Sequence, residues 1–431
     1  MNFTMKKKNK IIISLAVLFI FLTFVQGFVK QVINIEEIDL VDDIILMILF
    51  IFALIFALIN NLSVKRDYIF IFLFPFIFLI YLLISGVINN IPLIIALVSF
   101  RDYFQYILFF LFLVVFFNKY IFERVHNFIL LLGLFQILFA VGQIISTRIS
   151  NTFYPDLIGG TIGRSGAHIL SSFLIFFVGY YLSKIIYEKK INIKGILYLL
   201  AVIVMLIVIS FRTLLILSPV IIFLYLIIIR MYRKKMFLIV VASVILLAVI
   251  AGLVINYTGI YAINIKGLIE EQMSSELGGR ILQFKYVLND LLDTPIKLIF
   301  GDGPGTFFSK TCRFFDYKRW SWVKDNIVRG YIQYVISLAE IGFAGIFGVL
   351  AFYILVIRRL RNELAGNIPS SSKVIMSATI FYIISYLFSG AGGNIFEWQE
   401  TNTILWFYIA YCCSLAGGTV NVSAGPDNKS L

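Results

Sequence analysis

The chain has 431 residues, 61% of them hydrophobic and 14% charged, with 44 phenylalanines and a mean hydropathy of +0.98. Soluble domains are about 45–50% apolar and about 25% charged, so this composition excludes a cytosolic enzyme, a disulfide-stapled secreted scaffold and a disordered chain, and leaves a polytopic membrane protein. The net charge of +13, from 36 Lys+Arg against 23 Asp+Glu, reports orientation, anionic lipid or an anionic substrate according to where it sits.

A helix needs about 20 apolar residues to cross the hydrocarbon core. Runs of that kind lie near 11–28, 44–62, 69–88, 103–118, 127–146, 167–184, 196–212, 213–230, 237–256, 333–357, 374–390 and 402–417. They predict an all-α transmembrane helix bundle of about twelve spans. The first run follows Lys6, Lys7, Lys8 and Lys10 with no small-residue cleavage site behind it, and reads as an uncleaved anchor. The stretch 196–230 is broken at Ser210-Phe211-Arg212 and again at Ser218-Pro219, and reads as a helical hairpin with Arg212 at its turn.

Orientation follows from Lys and Arg in the short loops. With the N-terminus in the cytoplasm, 21 of the 36 basic residues fall in cytoplasmic loops and tails. Most of the others lie in one long segment, which the rule governs weakly. Both termini are therefore expected inside. The chain divides into spans 1–9 over residues 1–256, a large extracytoplasmic loop over 257–332, spans 10–12 over 333–417 and a cytoplasmic tail over 418–431. The loop carries Gly278-Gly279-Arg280, an amphipathic stretch from Ile281 to Leu292, and Gly301-Asp302-Gly303-Pro304-Gly305. Long loops are usually functional, and short helices capping the outer face are expected here.

Cys312, Cys412 and Cys413 make no disulfide framework, and with His126 and His168 far apart the sequence offers no metal site. The chemistry is expected among the outer-face arginines: Arg101, Arg148, Arg164, Arg212, Arg280, Arg313, Arg319 and Arg329. Arg212 has no acidic residue within twenty positions. It reads either as an end-of-helix arginine snorkelling to the interface or as a guanidinium that grips phosphate bidentately. Arg280 is a solvated loop residue or a second such contact. The glycine cluster at 301–305 is not a Walker loop, since no Lys-Ser/Thr follows it. Trp320, Trp322 and the neighbouring aromatics would stack on sugars or mark the membrane interface. Glu340 stands ahead of Gly342, Gly345 and Gly348, whose small size suits close helix contact.

Four stretches together resemble the O-antigen polymerase and O-antigen ligase superfamily of bacterial envelope polysaccharide assembly. They are Gly160-Thr-Ile-Gly-Arg-Ser-Gly-Ala167, Ile209-Ser-Phe-Arg-Thr213, Gly279-Arg280 with Gly301-Asp-Gly-Pro-Gly-Thr-Phe307, and Leu338-Ala-Glu-Ile-Gly-Phe-Ala-Gly345. The resemblance implies a GT-C-like membrane glycosyltransferase that needs no metal or other cofactor. Its donor would be an undecaprenyl-diphosphate-linked oligosaccharide. Further partners would be membrane lipid and a chain-length regulator protein, with no nucleic acid. It implies that Arg212 and Arg280 bind the diphosphate, with Arg164 and Arg329 as further contacts. Trp320, Trp322 and Tyr331 would hold sugar. The ligase branch carries a catalytic His-Asn before the loop exit, where this chain reads Asp325-Asn326-Ile-Val-Arg329-Gly-Tyr331. The missing histidine favours the polymerase and leaves Asp325 and Glu340 as candidate proton acceptors. The ligase and a lipid-linked oligosaccharide flippase are the competing readings. A flippase relies on internal repeats and charges near the bilayer midplane, whereas here the spans are nearly uncharged.

Overall fold

Backbone surrounded by lipid has no water to bond to, so a crossing segment satisfies its own N–H and C=O groups as a helix. The computed structural model describes residues 2–33, 41–59, 69–104, 106–149, 158–163, 166–189, 193–209, 212–231, 280–307, 309–315, 333–390, 393 and 395–416. Every regular element among the described residues is helical. In chain order they are α1 (Asn2–Ile33), α2 (Val41–Ile59), α3 (Ile69–Ile88), α4 (Leu93–Phe104), α5 (Ile107–Phe116), α6 (Lys119–Ile149), α7 (Ala167–Glu188), α8 (Ile193–Ile209) and α9 (Arg212–Ile228). There follow α10 (Arg280–Leu292), α11 (Pro295–Phe300), α12 (Lys310–Phe315), α13 (Gln333–Leu364), α14 (Ser370–Ser389) and α15 (Gln399–Leu415). Single 3-10 turns lie at Gly160–Ile162 and Ile395–Glu397.

Six stretches among the described residues are long and apolar enough to cross a membrane: Asn9–Val29, Ile69–Ile88, Lys119–Thr147, Ala167–Glu188, Gln333–Leu364 and Ser370–Ser389. They coincide with six of the expected runs, and the chain is a helical membrane protein. Shorter helices occupy four more expected runs, namely α2, α8, α9 and α15. The run at 237–256 and the tail at 418–431 lie outside the described residues.

The run expected to cross at 103–118 is divided instead. Helix α4 begins much earlier, just after Pro92, and meets α5 at a 58° bend. The charges near its end have fixed partners. Arg101 pairs with Asp43 at 2.5 Å, and Asp102 accepts the Thr311 N–H at 3.0 Å. Helix α4 also packs on α3 and α12, while α5, which holds most of the run, packs on α2 and α15, so the two sides of the bend follow different neighbours.

The core centres on α7 and α14, which pack along their length. Gly179 permits this approach, since a Cβ there would stand 2.3 Å from the Phe381 ring. Helix α8 packs on α7 and α9 on α14. A buried hydroxyl ladder joins three of these helices, with the Tyr225 hydroxyl 2.8 Å from Ser183 Oγ and 2.7 Å from Ser377 Oγ. Such bonds across helices act as polar glue where the surroundings are apolar. Rings fill the remaining space, as where Phe176 stacks on Tyr408 with centroids 4.0 Å apart. Outward faces stay apolar too: Ile51, Phe52, Ile55 and Leu58 of α2 are exposed, as suits a surface that meets lipid.

Among the described residues of the segment 257–332 there are three short helices, α10, α11 and α12. Helices α10 and α11 pack on α13, and α12 packs on α4.

Candidate functional site

The site is built around a break in α13. At Gly342 the backbone leaves the helical region (φ 59°, ψ −170°). Only glycine adopts this conformation cheaply. A Cβ there would also lie 2.4 Å from the Ile299 carbonyl oxygen. The partner in this contact is Gly301 (φ +69°), whose own Cβ would meet the Glu340 carbonyl carbon at 2.5 Å. The two glycines let the end of α11 press backbone to backbone against the break.

A broken helix frees carbonyls that must find other donors. Here the Ala339 carbonyl accepts the Asp302 N–H at 2.7 Å. The Tyr81 hydroxyl donates to the Ile341 carbonyl at 2.5 Å and lies 3.1 Å from that of Ile299. Ser85 Oγ donates to the Phe300 carbonyl at 2.9 Å. Helix α3 thus straps the end of α11 to α13 just before the break.

Glu340 is the centre of the arrangement. Its side chain is fully buried. One carboxylate oxygen accepts the N–H groups of Phe307 (3.0 Å) and Ser309 (3.2 Å), and the other accepts that of Gly305 (3.0 Å). The glycine loop therefore curls around a carboxylate supplied by α13. Glycine-rich loops whose N–H groups converge form anion-binding concavities; in this one the anion is part of the chain. The run continues onto α4, where Asp102 takes the Thr311 N–H. Further bonds close the loop on itself: Thr306 Oγ1 to the Gly303 carbonyl (2.6 Å), Cys312 N–H to Ser309 Oγ (3.2 Å) and Cys312 Sγ to the Phe307 carbonyl (2.7 Å).

A salt-bridge clip secures the near side. Lys297 Nζ lies 2.9 Å from Asp302 and 3.4 Å from Asp290. Its hydrogen bond to the Asp302 carboxylate, above all, holds the ammonium pKa above the ordinary lysine value. Beneath the loop, Phe307 shares a buried apolar cluster with Val287 and Leu291 of α10 and with Val335, Ile336, Leu338 and Ala339 of α13.

Of the residues expected to carry chemistry, the structure joins Glu340 to the Gly301–Phe307 loop, two stretches that were only neighbours in a pattern. Glu340, expected as a candidate proton acceptor, is found inside the loop's backbone N–H groups. Both of its oxygens are engaged by backbone N–H groups and its side chain is fully buried, so in this structure it holds the loop. Arg280 opens α10 and Arg212 opens α9. Arg164, Trp320, Trp322, Asp325, Arg329 and Tyr331 lie outside the described residues. Sequence reasoning missed Tyr81, Ser85, Asp102 and the Lys297–Asp302 clip. Asp102 left one signal, as a carboxylate at the head of an apolar run beside Arg101. Tyr81 left none, being one aromatic among many. Among the described residues, no group of His, Cys, Asp and Glu side chains is arranged to hold a metal ion.

No protein-family model matches the chain, and no curated protein sequence matches it either.

Proposed function

We propose that the chain is a polysaccharide polymerase, a GT-C-like glycosyltransferase of about twelve spans in a bacterial inner membrane, with both termini cytoplasmic. It joins undecaprenyl-diphosphate-linked oligosaccharide repeat units at the outer face, in the assembly of an O-antigen or capsule. One observation carries the reading. Two stretches through which the sequence resembles the polymerase and ligase superfamily, Gly301–Phe307 and Leu338–Gly345, form one physical unit around Glu340, and the helix headed by Arg280 is packed against it.

In this reading the diphosphate of the growing chain is held by Arg212 and Arg280, with Arg164 and Arg329 as further cations. A hydroxyl of the incoming unit attacks the anomeric carbon, and the lipid diphosphate leaves. Cationic groups aimed at the departing diphosphate stabilise the charge that develops there, a term that is often the largest in catalysis. A carboxylate takes the hydroxyl proton. With Glu340 occupied by the loop, Asp325 is the carboxylate assigned to that step. A single displacement inverts the anomeric centre. Trp320, Trp322 and Tyr331 supply stacking faces for the sugars.

The test is made in a deletion strain complemented with variants at normal protein level. Arg212→Ala and Arg280→Ala are expected to abolish long chains while a single repeat unit still forms. Long chains of wild-type length from both variants would overturn the assignment. Full-length chains left on the lipid carrier in the deletion strain would identify a ligase, and repeat units facing the cytoplasm a flippase.

A further inference from the structure

We infer that Glu340 is a positioning residue, which fixes the Gly301–Ser309 loop and, through Phe307, the helix that begins at Arg280, the residue proposed to bind the anionic lipid substrate. The inference deepens the proposed polymerase and rests on that reading for the identity of the substrate.

The connection runs through three steps, each of them a contact. First, the Glu340 carboxylate holds the Gly305, Phe307 and Ser309 N–H groups. A charged acceptor makes stronger hydrogen bonds than a neutral one, and a carboxylate accepts only, so it gathers donors from several residues at once. Second, the Phe307 backbone it holds carries a ring that is buried with Val287 and Leu291. Those two residues lie four apart on α10, one turn above the other. Third, Arg280 is the first residue of that helix, two turns before Val287. The loop has little freedom to reach the same place otherwise. Its first residue is wedged against α13, and the helix that follows it is tied to α4 by the Thr311 N–H bond to Asp102.

Glu340 therefore touches no substrate, and its loss acts by letting α10 and its arginine wander. This predicts a particular signature. Loosening α10 weakens capture of the diphosphate lipid but leaves chemistry on the captured lipid largely intact.

Cys312 gives a readout independent of activity, because its buried thiol bonds the Phe307 carbonyl inside the locked loop. Full-length protein in lipid nanodiscs is treated with a maleimide, and labelling at Cys312 is resolved from Cys412 and Cys413 by mass spectrometry. Polymerisation is followed with lipid-linked repeat units extracted from the deletion strain. Glu340→Gln keeps one acceptor oxygen and leaves a buried N–H without a partner. It is expected to speed Cys312 labelling about tenfold and to raise KM for the lipid-linked unit about tenfold, with kcat held within about twofold. Glu340→Asp should restore part of both. Leu291→Ala breaks the chain of contacts beyond the loop, so it should raise KM while Cys312 labelling stays at the wild-type rate. Wild-type labelling in Glu340→Gln overturns the lock. A fall in kcat with KM unchanged overturns the positioning role and returns Glu340 to the chemistry. If the wild-type protein makes no polymer while Cys312 labelling still depends on Glu340, the polymerase reading falls and the lock stands.

Discussion

Two glycine turns are inserted into this bundle, and they are held by opposite chemistry. The turn at 158–163 is gripped by neutral amides. Gln143 accepts the Gly160 N–H and donates to the Gly160 carbonyl, both at 2.9 Å. Gln136 accepts the Thr161 N–H at 2.9 Å and donates to Thr161 Oγ1 at 2.5 Å. The turn at 301–309 is gripped chiefly by the carboxylate of Glu340, which takes three of its N–H groups. An amide serves donor and acceptor of one residue and carries no charge inward. A carboxylate only accepts, so it collects N–H groups from residues spread along the loop, and its charge is tolerated only while those donors stay in place. The amide turn is thus clipped point by point, whereas the carboxylate loop is a single cooperative unit.

The largest effect should come from removing the carboxylate. Glu340→Leu leaves three buried N–H groups without acceptors, which costs about 3 kcal/mol or more. Calorimetric melting of the detergent-solubilised protein should fall accordingly, with hydrogen exchange rising at Gly305, Phe307 and Ser309 together. Exchange rising at one of them alone would break the picture of a cooperative unit. Next comes Gly342→Ala, which forces a side chain into a left-handed conformation and against the Ile299 carbonyl. A cost of about 2–3 kcal/mol is expected, with exchange again rising through the loop, because the break and the lock are one structure. The amide turn should respond less. Gln136→Leu is expected to cost about 1–2 kcal/mol and to change exchange near Thr161 only, with 305–309 unaffected.

The smallest effect belongs to the Lys297–Asp302 clip. Lys297 is held above its ordinary value of 10.5 in the folded protein, so the stability it adds is complete below the lysine pKa and is lost as pH rises through the raised value. The difference in melting temperature between wild type and Lys297→Met should therefore be constant from about pH 6 to pH 9 and shrink only in more alkaline solution. A difference that shrinks between pH 6 and pH 9 would place the effect elsewhere.

The spans were legible because composition alone demands them: a run such as 69–88 admits few structures other than a crossing helix. The bend between α4 and α5 was not, because the partners met by the α4 charges Arg101 and Asp102, namely Asp43 and Thr311, lie far away in sequence. The glycine loop could be recognised as a turn, and Glu340 as an unusual charge. Their union could not, since the partners of Glu340 are backbone N–H groups, which every residue but proline carries. A buried glutamate reads in sequence as a reactive group; the three N–H donors gathered around it are visible only in the fold.

The bend in α13 also sets a depth. Unbroken, its 32 residues would run to about 48 Å, far beyond the roughly 30 Å hydrocarbon slab. Severed at Gly342, residues 343–364 measure about 33 Å, which matches the slab, with Arg358, Arg359 and Arg361 near the far end. The remaining turns, with Glu340 among them, lie beyond that length. A thicker or thinner membrane is accommodated by tilt of the lower rod. The locked loop is tied to the hinge at the end of that rod and moves with it.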